Sequence, residues 1–216
     1  LNGPRNHWKI RPAEAHENLI LAPTFDVAGV EYMNIKSHPT AFMRFLAALI
    51  LAFGSMTSVA AARDPGAYFF DQTFGDFSEE LENAREQGKT GILIMFEMDE
   101  CPFCHRMKTT VLNQSEIQDY FKEHFLIFPV DIEGDVEITD FAGQTLPEKE
   151  FALKQYRVRA TPVFAFFDLD GNLVARYTGA TRDADEFRWL GDYVIEGAYT
   201  TTSFTRYKRE RQKSAR

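Results

Sequence analysis

The chain contains two cysteines, and they stand three residues apart, at Cys101 and Cys104, inside the stretch ILIMFEMDECPFCHRM. No other feature narrows the possible folds so far. Just upstream lies Gly91 to Glu97 (GILIMFE), an apolar run of strand length, and Cys101 to Leu112 follows with the character of a helix. A disulfide between residues three apart closes a very short loop and removes little chain entropy, so a structural staple is a poor reason for the pair. Structural zinc normally needs four ligands, and no second cysteine pair exists. Two readings remain: redox chemistry, or covalent haem attachment, because CPFCH also satisfies C-x-x-C-H with His105 as axial ligand.

The position of the pair has consequences. At a helix opening, free amide groups and the helix dipole place partial positive charge beside the first sulfur and favour its thiolate. Such a cysteine can fall from a pKa of about 8.5 to roughly 3.5–7.5. Pro102 suits the first helical position, where its missing N–H costs nothing. Cys101 is therefore expected to be the exposed, attacking sulfur, and Cys104, one turn in, the more enclosed resolving one.

Around this motif the pattern is that of an α/β domain. Phe77 to Gln87 reads as a helix, with Ser78 as N-cap and Gly88 as stop. Ser115 to His124 reads as another, capped by Ser115, and Phe125 to Asp131 as a second buried strand. Residues 132–147 look like a loop-rich insertion with a short strand between Val136 and Phe141, before a helix over Glu148 to Tyr156. Pro162 to Asp168 and Leu173 to Thr178 are strands joined at Asp170-Gly171, a strong hairpin signal. A final amphipathic helix is expected over Asp183 to Tyr199, followed from Thr200 by a basic tail read as a frayed, solvated end, with contact to anionic lipid as the sharper alternative.

The N-terminal third is different. Residues 43–62 (MRFLAALILAFGSMTSVAAA) combine a short basic start, an apolar run from Phe45 to Phe53, and an A-x-A pattern at Ala60 and Ala62, which together read as a signal peptide cleaved near Ala62. An uncleaved anchor is the alternative, though the uncharged stretch is marginal for a span. Residues 1–42 are expected to come from a start site placed too far upstream, with translation beginning at Met43 or Met33. The domain would then cover 63–199 and the basic tail 200–216, and the protein would be periplasmic or otherwise exported. The whole chain has a formal net charge of -8, which argues against a nucleic-acid partner.

A strand, then CPFC on a helix, then Thr161-Pro162 opening a late strand, resembles the thioredoxin superfamily. Over roughly residues 75–195 the chain is similar to exported bacterial thioredoxin-like proteins of the SoxW-like group found with sulfur-oxidation systems, in TDFAG, the helix after it, and YRVRATPVFAFFDLDGN. The resemblance implies a thioredoxin fold with a central mixed sheet of four to five strands. It also implies a thiol-disulfide oxidoreductase of the protein-disulfide reductase type, using Cys101 and Cys104. The peptide before Pro162 would be cis, and the Thr161 backbone would pair with an extended substrate.

No cofactor beyond the cysteine pair and no metal are implied. Expected partners are protein or small-molecule disulfides and a membrane thiol donor, and a monomer is expected. The sequence departs from thioredoxin where that protein carries a buried carboxylate six residues before its first cysteine; here that position is Met95. Glu97 shares its strand face and is a candidate proton acceptor for Cys104, or else a solvated strand end. Pro102, Phe103 and His105 are candidate modulators, His105 by adding positive charge near the thiolate. The competing classes are a c-type haem protein and a redox-inactive thioredoxin-fold binding protein.

Overall fold

The computed structural model describes residues 62–214. The expected upstream extension, and all of the signal segment except Ala62, lie outside the described residues. From Ala62 the chain is strapped to the domain by a bridge to Gln114 and by an Arg63–Asp119 ion pair at 2.7 Å. Then come helices α1 (Pro65–Tyr68) and α2 (Phe77–Glu86), strand β1 (Gly91–Glu97), helices α3 (Pro102–Thr110) and α4 (Ser115–His124), and strand β2 (Phe125–Asp131). A small hairpin, β3 (Glu137–Thr139) and β4 (Thr145–Pro147), leads into helix α5 (Glu148–Glu150), which widens into a π turn over Phe151–Gln155. Strands β5 (Val163–Phe167) and β6 (Leu173–Thr178), helix α6 (Ala184–Ile195), a 3₁₀ turn (Ala198–Thr200) and helix α7 (Phe204–Ser214) complete it.

The main sheet runs β2-β1-β5-β6, with β1 and β2 parallel and the other neighbours antiparallel. This is the expected α/β architecture with a mixed sheet of four strands. Because β1 is central, both its faces are buried, and the alternation of a strand sends its side chains to two different cores. Ile92, Ile94 and Phe96 pack toward α2 with Phe77, Leu81 and Phe151. Leu93 and Met95 face the other way, into a core holding Cys101, Cys104, Met107, Phe121, Phe164 and Phe187. There Phe121 and Phe187 stack with ring centroids 4.4 Å apart, and each such buried ring contributes about 1.5–3 kcal/mol. Helices α4 and α6 approach closely at Gly191, where an added Cβ would lie 2.9 Å from the Tyr120 ring.

Several local expectations need correction. The cap of α2 is Asp76, whose Oδ1 accepts from the Ser78 and Glu79 N–H groups, so Ser78 receives the cap rather than making it. Asp76 is the better cap because it sits in extended backbone just before the helix, one residue ahead of Phe77. Gln114 holds the cap position that Ser115 was expected to fill, without a side-chain capping bond; its amide donates instead to the Thr110 carbonyl at 2.7 Å. The short strand in the insertion is Glu137–Thr139, and it pairs with a second, Thr145–Pro147. The expected helix 148–156 is α-helical for three residues and π-helical for the next five.

The largest correction is at the C-terminus. The segment from Thr200 is not a frayed end: α7 docks on α6. Phe204 meets the rings of Tyr177 and Tyr193 at 5.7 and 5.5 Å, and the buried Tyr207 donates its hydroxyl to Glu196 at 2.8 Å. Lys208 Nζ reaches the buried carboxylate of Glu186 at 2.7 Å, which also accepts from the Tyr177 hydroxyl at 3.1 Å. A buried carboxylate without partners is costly, so the basic segment is drawn in by the group it neutralises.

Candidate functional site

Cys101 ends the loop after β1 in extended backbone and is the N-cap of α3, with Pro102 in the first turn. Its carbonyl accepts the first helical bond, from the His105 N–H at 3.0 Å, and its Sγ accepts from the Cys104 N–H at 3.0 Å. The sulfur thus occupies the place that a carboxylate or hydroxyl oxygen takes at an ordinary helix opening. Cys101 and Cys104 are joined by a disulfide, with Cα atoms 5.2 Å apart.

From across the sheet, the loop before β5 closes over this sulfur. The Thr161–Pro162 peptide is cis, and the Thr161 hydroxyl donates to Cys101 Sγ at 3.2 Å. Pro162 is buried, and its carbonyl accepts from the Gly179 N–H at 2.8 Å, tying the loop to the end of β6. Among the described residues, no hydrogen bond occupies the Thr161 backbone N–H or carbonyl. The structure therefore brings Thr161 and Pro162 to the cysteine pair. It adds a side-chain contact where only a backbone role was expected.

Burial separates the two sulfurs less than expected. Cys101 is 6 % exposed and Cys104 3 %, so the first cysteine is not open to solvent in the disulfide form. The cause is local: Sγ is turned over the helix opening toward the Cys104 N–H and lies beneath the Thr161 hydroxyl. The exposed groups are Pro102, Phe103, which is 59 % exposed, and His105.

Beside the disulfide lies a cleft of about 130 Å³, lined by Glu97, Met98, Asp99, both cysteines, His105 and Lys108. Glu97 is not a solvated strand end. Its two carboxylate oxygens receive Lys108 Nζ at 2.7 and 2.8 Å, and its side chain is only 17 % exposed. Lys108 escaped the sequence reading. It lies one turn beyond Cys104 on the same helix, and that i, i+4 spacing was the available signal. Arg106 escaped as well: it donates to the Thr181 carbonyl, in the loop before α6, at 2.9 Å. Met95, at the position of thioredoxin's carboxylate, is fully buried in the apolar core. Among the described residues, no group of three or more His, Cys, Asp or Glu side chains gathers as a metal site.

Residues 77–195, more than half of the chain, match a family model described as a thioredoxin-like domain. Among solved structures, the chain is similar to a thioredoxin-fold protein from Helicobacter pylori, with 23% identity, a TM-score of 0.48, and coverage of 58% of this chain and 86% of that one. It is also similar to a candidate disulphide-isomerase from Bacteroides thetaiotaomicron, with 26% identity, a TM-score of 0.48, and coverage of 63% and 96%. A thioredoxin from Thermus thermophilus shares 23% identity at a TM-score of 0.45, with coverage of 59% and 90%. No curated protein sequence matches the chain.

Proposed function

Because the chain belongs to the thioredoxin-like domain family, matched over residues 77–195, we propose that it is an exported thiol-disulfide oxidoreductase that reduces disulfides through Cys101 and Cys104. The observation that carries this reading is the Cys101 sulfur in the capping position of α3, accepting from the Cys104 N–H at 3.0 Å and from the Thr161 hydroxyl at 3.2 Å. Two donors and the helix dipole aim positive charge at one atom, and such an environment stabilises a thiolate.

In the reduced protein, the Cys101 thiolate attacks one sulfur of a substrate disulfide. The substrate S–S bond breaks, a mixed disulfide forms, and the departing substrate thiolate takes a proton. Cys104 then loses its proton, attacks Cys101 Sγ and expels the second substrate sulfur. Two electrons have passed from the protein dithiol to the substrate, and the Cys101–Cys104 disulfide is the end state. Glu97, in the same cleft as Cys104, is placed to take up that proton while Lys108 holds its carboxylate. The backbone of Thr161 would receive an extended substrate segment beside the sulfur.

The cysteine pair supplies the redox chemistry, so this reading needs no cofactor. The alternative of haem on CPFCH would consume both sulfurs as thioethers. The likeness to the SoxW-like group and the signal-peptide pattern support export, operation as a reductase, recharging by a membrane thiol donor, and a monomeric state.

The test is a disulfide-reduction assay together with trapping. Cys104→Ser is expected to accumulate a mixed disulfide on Cys101, and Cys101→Ser to lose activity. Equal rates for Cys101→Ser and the parent would favour an inert binding protein. Glu97→Gln should slow release of the mixed disulfide more than its formation.

A further inference from the structure

Helix α7 carries more positive charge than its docking uses. Residues 200–216 hold six basic side chains and one acidic one, whereas residues 63–199 hold thirteen basic and twenty-seven acidic. Lys208 and Arg211 turn inward, to Glu186 and Glu196, alongside Phe204 and Tyr207. Arg206, Arg209 and Lys213 are exposed on the outside. At about 100° per residue these three fall within an arc of about 60°, on the side of the helix opposite Tyr207, Lys208 and Arg211. Arg206 contacts Glu210 of its own helix at 3.4 Å, and Arg209 and Lys213 have no carboxylate partner among the described residues.

We propose that this outward stripe of α7 is a docking surface for an anionic phospholipid bilayer. The three cations run along about 10 Å of helix, a line that a flat sheet of negative headgroups can meet all at once. Between them, Ser203, Thr205, Arg206, Arg209, Glu210 and Lys213 line a shallow cleft of about 450 Å³, in which two hydroxyls and three cations outnumber the single carboxylate and offer donors to a phosphate. The strongly acidic remainder is repelled by the same surface, so contact is confined to α7 and the orientation of the domain is fixed. The inference does not depend on the redox reading.

The experiment is flotation of the full chain with vesicles of phosphatidylglycerol mixed with phosphatidylcholine, against vesicles of phosphatidylcholine alone, at low and high salt. The apolar run 45–53 would favour both kinds of vesicle alike, so the readout is the ratio of anionic to neutral partition. The parent should prefer anionic vesicles, and salt should weaken the preference. With each cation worth about fivefold, the triple variant Arg206→Gln, Arg209→Gln, Lys213→Gln should lower the anionic partition about a hundredfold. Its neutral partition and thermal stability should not change, and Arg209→Lys should bind as the parent does. No anionic preference in the parent, or an undiminished one in the triple variant, would overturn the proposal. So would a salt-sensitive dimer, abolished by the same substitutions, in a protein that ignores vesicles; that outcome would place a second copy on the face.

Discussion

At the opening of α6, the Asp183 carboxylate accepts from the Glu186 N–H at 2.9 Å; at the opening of α3, the Cys101 sulfur accepts from the Cys104 N–H at 3.0 Å. The two sites share a backbone plan, an extended residue whose side chain turns back on the third amide of the helix. They differ in the atom. At Asp183, burial pushes the carboxyl up, but the Glu186 N–H and the Arg182 guanidinium more than offset it and hold the group below the usual carboxylate range. The third amide of the helix, which helps stabilise an anion for the sake of the fold at Asp183, stands ready to help stabilise one for the sake of chemistry at Cys101, with the Thr161 hydroxyl in place of the guanidinium. A sulfur is the weaker acceptor, so α3 gives up cap strength for a nucleophile. Its opening is held instead by Pro102, by the disulfide and by the Thr161 hydroxyl.

Exchanging the atoms should break the comparison most sharply. Cys101→Asp would give α3 the same kind of cap as α6. Disulfide reduction should fall to the uncatalysed background while the far-ultraviolet dichroism stays that of the parent. Retained activity would show that the sulfur at the opening is not the reacting one. Next in size, Asp183→Ala should cost about 1–2 kcal/mol in urea unfolding, as the loss of a helix cap does, without moving the titration of the reduced Cys101 thiol. If that thiol moved too, the two openings would not be independent.

A smaller effect is expected from Thr161→Val, which removes one donor to the sulfur. The titration midpoint of reduced Cys101 should rise and alkylation at neutral pH should slow, in line with a hydrogen bond of about 1 kcal/mol. The smallest effect is the dependence of stability on acid. Asp183 is held below its ordinary value, and so is Asp76, chiefly by the Ser78 side chain and then by the Glu79 N–H. A carboxyl lowered on folding contributes stability that is present above its unfolded pKa, about 3.9, and lost as pH falls through the folded value. Stability should therefore decline below about pH 4. Replacing Asp183 with Asn should make that decline shallower.

The α3 opening was legible in the sequence because everything that defines it is local: an apolar strand, a proline at the first turn, and two cysteines one turn apart. The strand pair 162–168 and 173–178 was legible for the same reason, since Asp170-Gly171 marks its turn and Gly171 indeed takes a positive φ of 77°. What escaped depends on distant neighbours. Lys108 holds Glu97 because the end of β1 lies beside the second turn of α3, a contact between residues eleven apart that hydrophobic periodicity does not report. The fate of the basic segment turned on Glu186, twenty-two residues before Lys208, whose burial is a product of the fold. Cys101 stands at the helix opening, yet its burial under Thr161 joins residues sixty apart.

The most direct measurement is the ultraviolet absorbance of the thiolate as a function of pH, on reduced protein carrying Cys104→Ser so that Cys101 alone reports. A sulfur stabilised at the opening of α3 should titrate within roughly 3.5–7.5. A midpoint at or above about 8.5, the value of an ordinary thiol, would contradict the account.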